Sequence, residues 1–469
     1  MKHLQNHILF YTVICCLVFM FTACGSGSAN PGLSPTTASS QRSPIGESTG
    51  TTPTPNTPPN QTQPMPPTQT SCPSPVYESG RAAVLRPLAQ GNDPSIAYIN
   101  NTGTQERPIT AELKLYDVSK GIKTVITHLP DDYITEAQVS SDGQWILFVT
   151  NYPKYAALQL VRMDGKGLQT LYCTTRDGIQ GVQWSPDQSQ VVFSVRAVSG
   201  LLDVYLLKLS SGQLQPELVQ LNSANPGYLP RTWEDNTHVY ITGVLASLQP
   251  PTNQTGLYLL DTSKGPNQSP KNLQTVIPAN SQSECWDFDS DYHATALVAS
   301  RCNGTFSYSN IRAGDLLGPS SIVKGPVTGG QFQEIYQNSS AAITQVRFLG
   351  YSSSQVLFTV NNVSLGVPGV PVDSSHNGLW KMNIDGSVTK LASEDAGYLC
   401  ELNLYSQYPW ANVSRSDGAF YALQVSSLGN GTTPPTFLEY GSVNGGSLKS
   451  FASVNEFSGS LAIAGWTTM

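Results

Sequence analysis

The sequence predicts an all-β fold built from many short strands, and three observations lead to this prediction. Charged residues make up only 12% of the 469 residues, about half of their usual share in soluble domains. Gly, Ser, Thr, Asn and Pro take their place, and these residues are typical of the turns that separate strands. From about residue 80 onward, a motif of an apolar residue, a polar turn containing Asp and an apolar strand also recurs.

The first 23 residues have the pattern of an export signal. Residues 8–23 form an almost uninterrupted apolar run, which is shorter than the ~20 residues that a membrane-spanning helix needs but fits a secretory signal peptide. The run ends in Phe21-Thr22-Ala23-Cys24-Gly25. This resembles the lipobox of bacterial lipoproteins, in which a small residue precedes a Cys that receives a diacylglycerol. The resemblance implies a signal peptide over residues 1–23 and lipidation at Cys24.

Two other interpretations of this segment remain open. Phe21 stands where the lipoprotein family usually has Leu. The segment is therefore also compatible with an ordinary signal peptide, or with an uncleaved anchor helix, and in both cases Cys24 would have no special role.

Residues 24–75 predict a disordered tether behind the lipidated Cys. Bulky apolar residues are nearly absent there, so burial cannot offset the entropy lost on ordering. The frequent prolines favour extended polyproline II conformation, which would hold a domain away from the membrane. Residues 46–50 match the G-x-S-x-G pattern of some hydrolases, but that motif needs a strand before it and a helix after it. The tether predicts neither, so we assign it no catalytic serine.

Two signatures alternate over residues 80–469. The clearest copies of the first are Ser140-Ser141-Asp142-Gly143 and Ser185-Pro186-Asp187-Gln188, each followed by an apolar strand. The second is a short strand that ends in a glycine turn, as in Met163-Asp164-Gly165, where glycine supplies the positive φ of tight hairpins. The unit returns every ~45–65 residues, which is the period of β-propeller blades.

The first signature resembles the PD40 or TolB-type propeller repeat, whose core is S-P-D-G followed by an apolar strand. The resemblance implies a single β-propeller over residues 80–469 and a general binding role, without indicating one ligand. We count seven four-stranded blades, with six or eight as the alternatives. Their inner-strand motifs lie near Val139, Trp184, Trp233, Phe288, Phe348, Val413 and Trp466.

The two ends of the repeat region predict how the ring closes. Residues 461–467 have the pattern of an inner strand with no outer strands after it, whereas residues 95–99 and 113–117 have the pattern of later strands of a blade. We therefore expect the C-terminal strand to pair inside the first blade, which would close the ring and hide its sheet edges.

The cysteines after Cys24 are odd in number, so they cannot all pair within the chain. They are Cys72, Cys173, Cys285, Cys302 and Cys400. Cys285 and Cys302 fall on two successive strands of one blade, which predicts a disulfide across a hairpin. The sequence does not assign the other three. It contains no Cys-x-x-Cys pair, and we predict no metal site.

No catalytic machinery is recognisable in the sequence. The histidines are scattered, and neither a P-loop nor a dinucleotide-binding glycine pattern occurs. The recurring turn aspartates are predicted to be structural, because Asp caps turns by accepting hydrogen bonds from its own backbone; they are Asp142, Asp187, Asp235, Asp289 and Asp417. Four tryptophans are predicted to pack between blades rather than to form a sugar platform: Trp184, Trp233, Trp410 and Trp466.

These observations predict a non-catalytic binding or scaffold module outside the cytoplasm, anchored to the cell membrane through Cys24. Its partner would be a protein or a small ligand at one propeller face, where the long loops 244–255 and 362–377 are candidates for contact. We predict no cofactor. A net charge of −7 and a pI near 5.4 disfavour nucleic acid as a partner.

Two other functions remain open at this stage. One is an extracellular hydrolase or lyase that uses the central channel. The other, suggested only by the TolB-like resemblance, is an accessory subunit of an envelope complex.

Overall fold

The computed structural model describes Cys72, residues 79–88, residue 91 and residues 93–468, apart from fifteen internal gaps. The predictions for the signal peptide, Cys24, Cys285 and Asp417 lie outside the described residues, as does almost all of the tether. Cys302 belongs to a described strand, but its side chain is not described. The gaps are 152–154, 176–177, 197–200, 222–226, 244–255, 279–286, 303–319, 340–341, 361–373, 384, 394–397, 404, 416–417, 428–434 and 456–457.

The described chain forms seven antiparallel sheets of four strands each, as the repeat count predicts. In each blade the strands follow one another outward from the centre of the ring. Blade 1 contains β28 (Gly459–Thr467), β1 (Ser95–Thr104), β2 (Arg107–Asp117) and β3 (Ile122–Pro130). Blade 2 contains β4 (Ile134–Val139), β5 (Trp145–Asn151), β6 (Ala156–Arg162) and β7 (Gln169–Thr174). Blade 3 contains β8 (Ile179–Trp184), β9 (Gln190–Arg196), β10 (Leu202–Lys208) and β11 (Leu214–Gln215).

The remaining four blades have the same connectivity. Blade 4 contains β12 (Tyr228–Trp233), β13 (His238–Gly243), β14 (Leu257–Asp261) and β15 (Gln274–Ile277). Blade 5 contains β16 (Phe288–Ser290), β17 (Leu297–Cys302), β18 (Ser320–Gly325) and β19 (Gln333–Asn338). Blade 6 contains β20 (Ile343–Phe348), β21 (Val356–Val360), β22 (Gly378–Met382) and β23 (Val388–Ser393). Blade 7 contains β24 (Tyr398–Glu401), β25 (Phe420–Ser427), β26 (Pro435–Ser442) and β27 (Lys449–Asn455).

Helix is scarce in the described chain. It consists of one short α-helix, α1 (Pro409–Asn412), and the 3₁₀ turns Thr262–Lys264, Pro270–Asn272 and Ser374–His376. Among the described residues, no helix is both long and apolar enough to cross a membrane.

The C-terminal strand closes the ring as predicted. Strand β28 pairs antiparallel with β1, which places Trp466 opposite Ile96 and Ser460 opposite Asn101. Trp466 is fully buried and packs with Ile96, Tyr98 and Tyr440, so that blades 1 and 7 share one apolar cluster. This pairing satisfies the backbone of β1, which would otherwise be an open sheet edge.

The core lies between neighbouring blades, because each sheet is covered on both sides. Six of the seven residues of β5 are buried, and β6 has the same pattern. The outermost strand β3 begins with four exposed residues, since no blade covers its solvent side. Trp184, Trp233 and Trp466 end or belong to inner strands and are at most 3% exposed, as expected for packing between blades, whereas the equally buried Trp410 lies in α1, outside the blades.

All innermost strands run in the same direction, which distinguishes the two faces of the propeller. We call the face at which these strands begin the entry face, and the face at which they end the exit face. The second and third strands of blade 4 are joined between Gly243 and Leu257, and those of blade 6 between Val360 and Gly378. The predicted contact loop 244–255, and residues 362–373 of the predicted loop 362–377, lie outside the described residues. The described Asp-containing turns lie at the exit face.

A disulfide fastens the N-terminal segment to the outer edge of blade 2. Cys72 is bonded to Cys173 of β7. Further along, the backbone N–H of Arg81 donates to the carbonyl of Leu171 at 2.8 Å, and the N–H of Ala83 donates to that of Leu209 in blade 3 at 2.7 Å. The segment therefore runs between the outer strands of blades 2 and 3 before the first strand begins.

We expect the Cys72–Cys173 bond to make a large contribution to stability. It joins residues 101 positions apart, and closing so long a loop restricts the unfolded chain. Cys72→Ser and the double variant Cys72→Ser/Cys173→Ser should each lose about 2–5 kcal/mol of unfolding free energy, measured by urea denaturation without reductant. Dithiothreitol should bring the parent protein to the same midpoint. An unchanged midpoint in both experiments would contradict the assignment.

Candidate functional site

Between β24 and β25 the chain leaves the sheet and crosses the centre of the ring. We call residues 402–413 the channel segment; all but residue 404 are described. The sequence analysis placed the inner-strand motif of blade 7 near Val413, and this is wrong. The inner strand is β24, and Val413 forms only an isolated bridge with Tyr421 on the far side of the crossing.

The channel segment bonds to the inner strands of five other blades. The Leu402 N–H donates to Gln345 Oε1 of blade 6 at 2.7 Å, and Asn403 Nδ2 donates to the Ile463 carbonyl of blade 1 at 2.9 Å. Gln138 Nε2 of blade 2 and Gln183 Nε2 of blade 3 both donate to the Tyr405 carbonyl. Gln407 Nε2 donates to the Phe288 carbonyl of blade 5.

Two aromatic residues complete the crossing at the exit side. The Tyr408 hydroxyl donates to the Trp184 carbonyl at 2.6 Å, and Trp410 Nε1 donates to the Val139 carbonyl at 2.9 Å. Their rings stack with centroids 4.7 Å apart, and both are buried. Pro409 begins α1 between them, at a helix position where its missing N–H leaves no bond unmade. The central channel is thus occupied by the chain itself.

Side chains of one inner strand also accept hydrogen bonds from the inner strand of the next blade. Glu136 of blade 2 accepts the N–H groups of Gly181 and Val182 of blade 3, both at 3.0 Å. Asp289 of blade 5 accepts the Phe348 N–H of blade 6 at 2.7 Å. Buried N–H groups require such partners, and these carboxylates serve the strand edges that face the channel.

Asp287 and Asp289 have different electrostatic environments although they lie on one strand edge. Asp287 forms an ion pair with the buried Arg347, and Arg231 Nη2 lies 3.3 Å from its other oxygen. Burial raises the pKa of Asp289 well above its usual range, against the opposing influence of Arg347 and the Phe348 N–H. Asp289 therefore favours its neutral form more than an exposed aspartate does, and it accepts the Phe348 N–H inside the ring.

This position corrects the turn assignment in blade 5. Asp289 lies inside β16, and the turn residue is Asp291, which accepts the N–H groups of Thr295 at 2.6 Å and Ala296 at 2.7 Å. The two aspartates are only two residues apart in the sequence. Asp289 lies within the strand and binds the next blade, whereas Asp291 follows the strand and caps the turn.

In blades 2, 3 and 4 the aspartates lie in the exit-face turns. Asp142 Oδ1 accepts the Gln144 N–H at 3.0 Å, and Asp187 Oδ1 accepts the Ser189 N–H at 3.0 Å. Asp235 Oδ1 likewise accepts the N–H groups of Thr237 and His238. In each turn, one carboxylate oxygen binds the backbone within the next three residues.

Blade 4 adds an acidic and histidine cluster to its turn. The cluster consists of Glu234, Asp235 and His238, each of which offers one possible metal-ligand atom. These atoms lie within 4.8 Å of one another. His238 Nδ1 lies 2.9 Å from Asp235 Oδ2, however, and Asp235 Oδ1 binds the turn backbone. These bonds account for the cluster without a metal ion.

On the entry side, two carboxyl groups flank the channel segment. Burial raises the pKa of Glu136 and of Glu401 to about 7. Burial and the nearby charges of both glutamates raise the pKa of Tyr405 well above its usual range. Glu401, Tyr405 and Gln424 line a cavity of about 10 Å³, which is room for a single water molecule.

On the exit side, aromatic side chains are open to solvent at the centre of the face. Tyr292 of the blade 5 turn is 42% exposed, and Tyr351 of the blade 6 turn is 45% exposed. Their rings are nearly perpendicular with centroids 5.0 Å apart, and Tyr292 also lies edge-on to Trp410 at 6.0 Å. The exposed His293 lies beside Tyr292.

Arg415 forms the floor of this aromatic group. Its guanidinium lies 4.9 Å above the Trp410 ring, and its nitrogens donate to the carbonyls of Ser140, Ser141 and Trp466. The floor is thus rigid and links blades 1, 2 and 7. We call Tyr292, His293, Tyr351, Trp410 and Arg415 the exit mouth. The turn tyrosines escaped the sequence analysis because their turns diverge from S-P-D-G.

Several solved structures are similar to this chain. The chain is similar to the β-propeller domain of the Trilobed protease from Pyrococcus furiosus, with 10% identity, a TM-score of 0.49, and coverage of 78% of this chain and 98% of that one. TolB from Acinetobacter baumannii has 13% identity, a TM-score of 0.41, and coverage of 64% and 63%. An oligogalacturonate lyase in complex with manganese has 14% identity, a TM-score of 0.41, and coverage of 69% and 73%.

No family model matches the chain, and no curated protein matches it.

The raised pKa of Glu401 predicts a pH dependence of stability. The carboxyl group has a pKa of about 7 in the folded state, above its ordinary value of about 4.5. Its favourable contribution is therefore fully present below about pH 4.5 and is lost as the pH rises through 7. Glu401→Gln should be more stable than the parent at pH 8 by on the order of 2 kcal/mol, and equal to it near pH 4.5.

The measurement is thermal and urea unfolding between pH 4.5 and 8. Glu334→Gln, at an exposed position of β19, is the matched control and should leave the pH profile unchanged. A Glu401→Gln profile parallel to that of the parent would contradict the prediction.

Proposed function

We propose that the chain is an extracytoplasmic lipoprotein whose propeller is a non-catalytic binding module, with the exit mouth as its binding site. The observation that carries the proposal is the exposure of Tyr292 and Tyr351 on a rigid floor at the centre of the exit face. Tyrosines supply large, rigid contact area with a polar end, which is why they are enriched where proteins bind partners.

The occupied channel favours binding over catalysis inside the ring. A channel enzyme needs carboxylates or histidines that converge on a space for substrate. Glu136 and Asp289 accept strand N–H groups, and Asp287 is paired with Arg347. The cavity beside Glu401 has room for a water molecule and none for a substrate.

The disulfide supports the part of the proposal that concerns location. Disulfides persist in secreted and periplasmic proteins and are rare in the reducing cytosol. The Cys72–Cys173 bond therefore agrees with the export signal inferred from residues 1–23. Cys72 lies near the C-terminal end of the proposed tether, so the anchored segment would join the propeller at a covalent fastening point.

Lipidation predicts a specific effect of Cys24. In the full chain expressed in bacteria, Cys24→Ala should abolish incorporation of radiolabelled palmitate and move the protein out of the lipid-modified membrane fraction. Cys16→Ala is the matched control, because that cysteine lies inside the apolar run and would be removed with the signal peptide. Palmitate labelling that persists in Cys24→Ala would contradict lipidation at this residue.

The proposed binding site predicts where a partner can be cross-linked. A photoreactive amino acid at position 293, beside Tyr292, should give a discrete cross-linked product in intact cells. The same amino acid at the exposed position 123 of the blade 1 outer strand should give none. Tyr292→Ser/Tyr351→Ser should abolish the product at position 293, because it removes the exposed aromatic area.

The control for that double variant is Ile109→Ser/Ile122→Ser, which replaces two exposed apolar residues of blade 1 and should leave the product intact. Circular dichroism melting curves of both double variants should match the parent. A cross-link that survives loss of both tyrosines, or one equally strong at position 123, would rule out the exit mouth as the binding site.

A further inference from the structure

The exit mouth has an aromatic side and an acidic side. Tyr292 and Tyr351 belong to the turns of blades 5 and 6. The corresponding turns of blades 2, 3 and 4 carry Asp142, Asp187 and Asp235 and no aromatic residue, whereas Asp291 of the blade 5 turn is buried. The ring therefore brings exposed aromatic surface and several carboxylates to one face.

Two of these carboxylates are close enough to act electrostatically on the mouth itself. Burial is the main cause of the raised pKa of the Tyr408 hydroxyl, and Asp187 and Tyr292 raise it further. Asp142, Tyr351 and Tyr292 all act on Arg415. We call the turns that carry Asp142, Asp187 and Asp235 the acidic rim, because all three follow inner strands and therefore lie at the exit face, as do the turns that carry Tyr292 and Tyr351.

The rim also extends without a break from blade 3 to blade 4. The Asp187 N–H donates to Asn236 Oδ1 at 3.0 Å, and Gln190 Nε2 donates to the Asn236 carbonyl. Asp235 precedes Asn236 in the chain, so this contact brings the two acidic turns together. Asp187 and Asp235 are both exposed.

Asp187 and Asp235 of the rim favour the ionised form. Partial burial raises the pKa of Asp187 and Asp235, but hydrogen bonds to the charged form outweigh it and hold both values below the usual range. The nearby cation does not present its charge outward, because Arg415 lies against Trp410 and donates to backbone carbonyls. A partner approaching the mouth therefore meets negative charge beside exposed rings.

We infer that the exit mouth binds a polypeptide in which an apolar or aromatic residue is flanked by lysine or arginine side chains. This rests on the proposed function of the mouth and adds the chemistry of its partner. The apolar residue would pack against Tyr292 and Tyr351, while the flanking cations would face Asp142, Asp187 and Asp235. Complementary charge of this kind favours association rate and specificity. A neutral saccharide would leave the acidic rim without a role.

The test uses three synthetic peptides of equal length with one central tryptophan, flanked by lysines, by glutamates, or by serine and glycine. Binding to the full chain is measured by fluorescence anisotropy. The lysine peptide should bind at least about 10-fold more tightly than the glutamate peptide. Its affinity should fall as NaCl rises from about 50 to about 300 mM, because salt screens exposed charges.

The deciding variants remove rim charge without removing the turns. Asp142→Asn/Asp187→Asn keeps a side-chain oxygen that can cap each turn and should weaken the lysine peptide about 3- to 20-fold, while leaving the serine-glycine peptide unchanged. Tyr292→Ser/Tyr351→Ser should weaken the lysine and serine-glycine peptides alike.

The matched control is Asp164→Asn/Asp385→Asn. It makes the same change in net charge at exit-face turns between third and fourth strands, which lie farther from the ring axis. This double variant should bind the lysine peptide as tightly as the parent does.

Three results would overturn the inference. The first is an equal loss of affinity for the lysine peptide in the rim and control variants, which would mean a response to net charge alone. The second is tighter binding of the glutamate or serine-glycine peptide, and the third is tyrosine-dependent binding of a neutral oligosaccharide when the lysine peptide does not bind. The last two leave the proposed binding role of the mouth intact, because that role is tested by the cross-link at position 293.

Discussion

The structure depends on how the innermost strands satisfy their inward edges. A four-stranded blade leaves one row of backbone N–H and carbonyl groups facing the channel, and buried groups of this kind are destabilising without partners. Here the partners include Glu136 and Asp289, which accept N–H groups of the next blade, and the channel segment, which donates to the carbonyls of Ile463 and Phe288. Neighbouring blades are thereby tied together at the axis, where their sheets make no direct ladder.

This requirement also determines what the interior can do. A carboxylate that serves a strand edge must stay in place, and one in a dry interior must be neutral or paired. Asp287 is paired with Arg347, and burial raises the pKa of Asp289, which accepts the Phe348 N–H. These interior carboxyl groups would suggest acid–base chemistry in an open channel, but here they hold neighbouring blades together. The proposed partner would therefore contact one of the two faces.

The parts of the fold that were predictable are those that repeat. The Asp turns and glycine turns revealed the seven blades, and the unmatched strand at Trp466 revealed the closure, because period-2 strands and tight turns are local properties. The channel segment repeats nowhere, and its bonds join Tyr405 to Gln138 and Gln183 across the ring. The Cys72–Cys173 pairing depends equally on the folded arrangement, and the role of Asp289 depends on a two-residue difference in register.

The exit mouth could not be predicted from the sequence, because its turns depart from the repeat. Repeats were recognised by their likeness to S-P-D-G, so the turns that carry Tyr292 and Tyr351 counted only as poor copies. A ring of near-identical turns presents the same chemistry to every side, and a partner can be recognised only where the turns differ. Blades 2 and 3 keep the repeat, and blades 5 and 6 depart from it at the turn tip. In a propeller with a filled channel, divergence among the exit-face turns is therefore a more direct indicator of the binding site than the repeat itself.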